Sequence, residues 1–175
     1  PLNIAILPLP DMSKTVDGAD EKIEQASDPD LAAEWPLFRG NANNMGITTA
    51  ETPRQAAEAY LRAERQLTNP SDWTECSTNP IIAGDHLFIV GKDVLYKLDK
   101  DLQEVATCTL TAAADYNSYI AYGGGAIYVV FPGGVIEAVD AVTMTSLWVS
   151  EAVHEGYAIA SPLLYEDGFL YSGII

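Results

Sequence analysis

His86 and His154 are the only imidazoles in the chain, so histidine acid–base chemistry has two candidate positions. Neither has the surroundings that such chemistry needs. His86 follows the turn dipeptide Gly84-Asp85 and aligns with the turn glycine Gly168 of a later repeat, so it reads as a turn residue. His154 lies in the acidic stretch Glu151–Gly156 and reads as a surface residue. No GxSxG elbow, phosphate-binding loop or HExxH pattern occurs. Asp99, Asp101 and Glu104 place oxygen ligands at a spacing that suggests calcium. They lack the central glycine and bidentate end of a calcium loop, and the equivalent turn at Asp140 keeps one acid. A β-turn explains them better. Glu151, Glu155, Glu166 and Asp167 are candidates for one acidic rim, but a glycosidase needs two carboxylates about 5–10 Å apart in a cleft. Nothing in the sequence brings two of them together.

Cys76 and Cys108 enclose 31 residues, with no CxxC pair or His/Cys cluster beside them, which argues against zinc. A disulfide between neighbouring strands and two separate buried thiols both remain open. No catalytic, metal-ligating or cofactor-binding residue is assigned, and no cofactor is expected.

The elements that would position any site are set by a degenerate repeat of about forty residues. One copy runs from Asn79 through Asp99 to Leu110, the next from Ser118 through Asp140 to Ser150, and a third begins at Ser161. Leu87, Ile127 and Phe169 are taken as equivalent, 40 and 42 residues apart, and Leu98-Asp99 returns as Val139-Asp140. Short strands and Gly/Asp turns at this period predict blade-type antiparallel β-structure. Leu87–Val90 and Ala126–Val130 are continuous apolar runs, the pattern of strands buried on both faces between adjacent blades. Gly84-Asp85, Gly123–Gly125, Asp167-Gly168 and Pro132-Gly133 supply hairpin turns. Val94–Leu98 and Val135–Val139 are read as third strands, Glu104–Leu110 and Ser146–Val149 as fourth strands. Trp148 sits at the blade-ending position and is expected to be buried; its counterpart in the first copy is replaced near Cys108.

Upstream of the repeats, residues 1–34 read as a poorly ordered acidic leader. Eight acids face Lys14 and Lys22 between positions 11 and 34, a solvated composition. The apolar start, PLNIAILPLP, is suited to an edge strand with no partner that the sequence identifies. Trp35 and Phe38 flank the loop Asn41–Gly46 and read as apolar plugs. Residues 53–67 fit either a helix capped at Thr52-Pro53 or a strand.

Composition narrows the function classes. Twenty-five acids against nine Lys and Arg give a net charge of −16, which opposes docking on nucleic acid or on an anionic membrane. No apolar run approaches the ~18–20 residues that span a bilayer, and no basic signal-peptide start is present. The numbered chain reads as a mature form or a fragment.

Several motifs carry a resemblance. The stretch WPLFRGNANNMGIT from Trp35, Thr52-Pro53, Ser161-Pro162 with Asp167-Gly168 and Tyr171, and Gly134-Val135 with Ala138-Val139-Asp140 and Trp148 resemble quinoprotein-type, pyrroloquinoline-quinone-like β-propeller repeats. They are similar to such domains in secreted or surface proteins of Gram-positive bacteria. The resemblance covers roughly residues 35–175 and implies an all-β, propeller-like architecture: an opening segment at 35–70, blades at 71–110 and 111–150, and a partial blade at 151–175. Quinone-dependent dehydrogenases of that superfamily use calcium, a catalytic Asp and commonly a vicinal Cys–Cys bridge. This chain has no Cys–Cys pair and no Asp that matches. The resemblance therefore implies the architecture without the cofactor. The expected role is a non-catalytic extracellular or cell-surface module that binds a protein or a glycan, without nucleic acid or membrane insertion. The alternatives are a quinoprotein-like oxidoreductase fragment and a carbohydrate-binding propeller. Fewer than four blades cannot close a ring, so self-association or further blades are expected.

Overall fold

The computed structural model describes residues 3–8, 36, 63–69, 71–72, 75–152 and 161–174. Every regular element among them is a strand. Strands β2 (Ile81–Ala83), β3 (His86–Gly91), β4 (Val94–Leu98) and β5 (Glu104–Thr109) form one antiparallel sheet in the order of the sequence. Strands β6 (Tyr119–Gly123), β7 (Ala126–Val130), β8 (Ile136–Asp140) and β9 (Ser146–Val149) form a second sheet of the same topology. Each is a four-stranded meander, the unit of a propeller blade. The third sheet holds β10 (Leu164–Glu166), β11 (Phe169–Ile174) and, beside β11, strand β1 (Asn3–Pro8) from the opposite end of the sequence. Within the 1–34 leader, Asn3–Pro8 is thus a strand, while residues 9–34 lie outside the described residues.

Turn chemistry sets the hairpins. Gly124 and Gly125 both have positive φ, as do Asp167 and Gly168, which is the signature of the two-residue type I′ loop that matches strand twist. Phe131–Gly134 closes with a bond from the Gly134 amide to the Phe131 carbonyl at 3.1 Å. Pro132 and Gly133 hold its central positions, and Gly133 has φ 84°, as a type II turn requires.

The second sheet is covered on both faces because successive strand residues point in opposite directions. Ile127 and Val129 of β7 join Phe88, Val90 and Leu95 in an apolar layer between the first and second sheets. Ala126, Tyr128 and Val130 join Leu163 and Leu170 in a second layer toward the third sheet. The continuous apolar run of β7 is therefore buried throughout, as expected. The β3 run is not: Phe88 and Val90 are buried, whereas Leu87 and Ile89 are half-buried. Their face is turned away from the second sheet. Along it, Leu67 lies so close to Gly91 that a Cβ there would meet the Leu67 Cβ at 2.8 Å.

The pairing corrects the sequence readings of Phe169 and His86 and locates the residue near Cys108 that replaces the blade-ending tryptophan. The first residues after the turns are His86, Ala126 and Phe169. The residue equivalent to Leu87 and Ile127 is therefore Leu170, one place beyond Phe169. Burial agrees, since Leu170 is 1% exposed and Phe169 40%. For the same reason His86 opens β3 opposite Ala83 instead of lying in the turn. Trp148 pairs with Ala138, and the matching pair in the first sheet is Lys97 with Ala106, so Ala106 holds the tryptophan's place. The third strand of the second sheet begins at Ile136 instead of Val135, and β5 ends at Thr109 instead of Leu110.

Residues 63–69 carry neither helix nor strand, and the rest of the helix-or-strand question at 53–67 lies outside the described residues. So do Trp35, Phe38, the Asn41–Gly46 loop and His154.

Candidate functional site

The positions with most chemical interest lie in the two layers between sheets. In the layer between the first and second sheets, Glu137 of β8 shares the face of Val139 and is 1% exposed. Its Oε2 accepts from the Thr111 amide at 2.9 Å and the Thr111 hydroxyl at 2.8 Å, and its Oε1 accepts from the Ser146 hydroxyl at 2.7 Å. A buried carboxyl group needs this degree of satisfaction to be tolerated. Thr111 follows the last strand of the first sheet and Ser146 opens the last strand of the second, so Glu137 ties the two sheets. Two further ties flank it. Asn79 bonds both backbone groups of Ile120, Oδ1 accepting from the amide at 3.1 Å and Nδ2 donating to the carbonyl at 3.2 Å. Lys97 donates to the Ala141 carbonyl at 2.9 Å.

In the second layer, Tyr128 of β7 stacks on Tyr165 of β10, with centroids 5.7 Å apart and planes within 12°, and Trp148 of β9 tilts against Tyr128 at 6.0 Å. Tyr165 can reach this position because β6 ends in Gly123: a Cβ there would fall 2.0 Å from a ring carbon of Tyr165. Trp148 is half-buried, not enclosed as expected. The reason is its place on β9, the outer strand, where only one side of the indole meets the layer.

Burial is the leading influence on three titratable groups, Cys108, Tyr128 and His86. Burial, and then the charge of Glu137, push the Cys108 thiol above its ordinary value, and a thiol so placed is a poor nucleophile at neutral pH. Burial, with Tyr165 and Tyr122 nearby, likewise pushes the Tyr128 phenol up. Burial and then the Lys97 charge lower the His86 imidazole from its ordinary value, which favours its neutral form. Cys76 and Cys108 are both free thiols.

The turn acids do what the β-turn reading requires. The Asp99 Oδ1 accepts from the Asp101 and Gln103 amides at 2.8 and 2.9 Å. The Asp140 Oδ1 accepts from the Val142 and Thr143 amides at 2.8 and 2.7 Å. Both are side-chain-capped turns. Glu104 instead pairs with Arg65 at 2.7 Å. Among the described residues no group of three or more His, Cys, Asp or Glu side chains is placed to hold a metal ion. Of the four rim acids, Glu151 and Glu166 are exposed and Asp167 lies in the β10–β11 turn, while Glu155 lies outside the described residues.

Sequence reasoning passed over Glu137 and Gly123. An acid at the Val135–Val139 parity, facing a neighbouring sheet, was the available signal for the first. For the second, the three successive glycines exceed what a two-residue turn needs.

No family profile matches the chain, and no curated protein does. Among solved structures, a europium-containing methanol dehydrogenase is similar to 58% of this chain at 20% identity with a TM-score of 0.44. The aligned part is 22% of that enzyme's length, and a likeness this loose carries nothing about chemistry. The blade assignment rests on the two four-stranded meanders themselves.

Proposed function

We propose that the chain is a non-catalytic binding or scaffold module of an extracellular or cell-surface protein, built from quinoprotein-like propeller repeats. The observation that carries this reading is how the polar side chains within the layers are engaged. Glu137, Asn79 and Lys97 join sheet to sheet, while Asp99 and Asp140 cap their own turns. A fold whose acids hold sheets and turns offers rigid edges and loops to a partner, which is how scaffold proteins work. The partner in this reading is a protein or a surface glycan. The carbohydrate alternative draws its support from Trp148, whose half-buried indole borders the stacked Tyr128–Tyr165 pair.

The test is a titration of the purified chain with pyrroloquinoline quinone in the presence of calcium, followed by absorbance. No saturable change is expected. Tight one-to-one binding would overturn the proposal in favour of the oxidoreductase alternative.

A further inference from the structure

The face of the first sheet that carries Leu87, Ile89 and Gly91 of β3 also carries Tyr96 and Leu98 of β4, since Ile89 pairs with Tyr96 and Leu87 with Leu98. The equivalent positions on the second sheet are Ile127, Val129, Glu137 and Val139, because Ile127 pairs with Val139 and Val129 with Glu137. That face of the second sheet is the one the first sheet covers, and Glu137 ties the two there. Tyr96 thus stands in the first sheet where Glu137 stands in the second. An apolar face on the same plan is stabilised by a cover of its own.

Residues 65–69 run along this face, held at three points. At one end Arg65 donates to Glu104 Oε2 at 2.7 Å and to the Leu102 carbonyl at 3.4 Å. Its guanidinium lies 5.5 Å from the centre of the Tyr96 ring, where a cation meets the negative face of the π-system. In the middle Leu67 rests on Gly91, where a Cβ would come within 2.8 Å of the Leu67 Cβ and 2.9 Å of its carbonyl oxygen. At the other end the Asn69 amide donates to Glu75 Oε2 at 2.6 Å, and Glu75 Oε1 accepts from Lys92 Nζ at 2.9 Å. Lys92 lies in the β3–β4 turn and Leu102 in the β4–β5 connection, so the two end anchors sit at opposite ends of β4.

We propose that residues 65–69 are a strap that closes this face as one unit, with Arg65 as its latch, so that a face built like one that receives another sheet is masked from within the chain. None of the five residues is fully buried, and a segment with few buried contacts opens at a lower free energy than core strands do. The fastenings at its two ends are the ion pairs Arg65–Glu104 and Lys92–Glu75. Exposed ion pairs are individually weak, so the strap depends on holding all three points together. Gly91 is what lets the middle point form, because any side chain there would stand where Leu67 lies.

The experiment follows cleavage of the intact chain between Arg65 and Gln66 by an arginine-specific protease, read by mass spectrometry. A docked Arg65 is engaged by Glu104 and Tyr96 and is cut only when the strap lifts, so the rate reports the lifted population. Two variants lift it from different points. Gly91→Ala places a methyl group under Leu67, and Gly91 is not among the positive-φ glycines, so alanine meets no backbone penalty. Glu104→Lys turns an exposed partner of Arg65 into a like charge without adding a cleavage point for this protease. Each variant is expected to be cut about tenfold faster than the parent, with the shallow urea dependence of a local opening. Exchange of the Asn69 amide, which Glu75 holds, is expected to rise in the same proportion. Cleavage unchanged in either variant, or as steep in urea as global unfolding, would overturn the strap. An Asn69 amide unaffected by Glu104→Lys would overturn its action as one unit. Protection at Arg65 that is lost on dilution, with sedimentation as a dimer before it, would overturn closure from within and make a second copy the cover.

Discussion

Gly123→Ala is expected to lower stability by about 3 kcal/mol, a large effect for the addition of one methyl group. Gly123 has no positive φ among the glycines that do, so alanine meets no backbone penalty there. The effect comes from Tyr165, whose ring carbons would lie 2.0–2.4 Å from the new Cβ. The β6 backbone is held by pairing with β7, and Tyr165 is held by its stack on Tyr128, so neither yields cheaply. Removing the ring should remove the conflict. In Gly123→Ala/Tyr165→Ala the two changes are expected to fall short of additivity by about 2 kcal/mol, read from urea denaturation of the four proteins. A Gly123→Ala chain within about 0.5 kcal/mol of the parent would mean that the second and third sheets do not meet through this stack.

The second large effect is expected at Glu137. Glu137→Ala leaves the Thr111 amide, the Thr111 hydroxyl and the Ser146 hydroxyl without their acceptor and opens a cavity at a position 1% exposed. Thr111 and Ser146 are themselves exposed, so water takes over part of their bonding, and the cavity and the lost ties together are expected to cost about 2–3 kcal/mol. Glu137→Gln has nearly the same shape. Its carbonyl oxygen can take both Thr111 donors while its amide donates to the Ser146 hydroxyl, so a change of less than about 1 kcal/mol is expected. The contrast between the two variants, measured by chemical denaturation, separates an interior tie from a surface acid. Equal small effects would place Glu137 outside the core.

Much of this architecture was legible in the chain because each strand pair is local. Gly84-Asp85, Gly124-Gly125 and Asp167-Gly168 mark turns through conformations that few other residues adopt, and the unbroken apolar run of β7 marks a strand covered on both faces. The alignment slipped by one residue at Phe169 because side-chain facing, which decides register, has a period of two, and two apolar neighbours, Phe169 and Leu170, satisfy the pattern equally. The repeat position of Trp148 predicts an enclosed indole, whereas enclosure depends on what lies beyond the outer strand. Glu137 and Gly123 were missed for a related reason. Their partners, Thr111 and Tyr165, are brought to them by the stacking of sheets, and no local spacing encodes that. The partner of β1 lies at the far end of the sequence and was equally out of reach of a local pattern.

The central claim is that the second sheet is the shared core of the fold, covered on both faces by its neighbours and used to hold them together. Native-state amide hydrogen exchange at increasing urea tests it most directly. Exchange reports the free energy of the smallest opening that exposes each amide. The amides of Ile127–Val130 are expected to exchange only through global unfolding, at the stability given by denaturation, with β5 and β9 exchanging through smaller openings at the outer edges. Exchange of Ile127–Val130 as fast as that of β9, through an opening well below global stability, would contradict the account and leave three sheets that stand side by side without a common core.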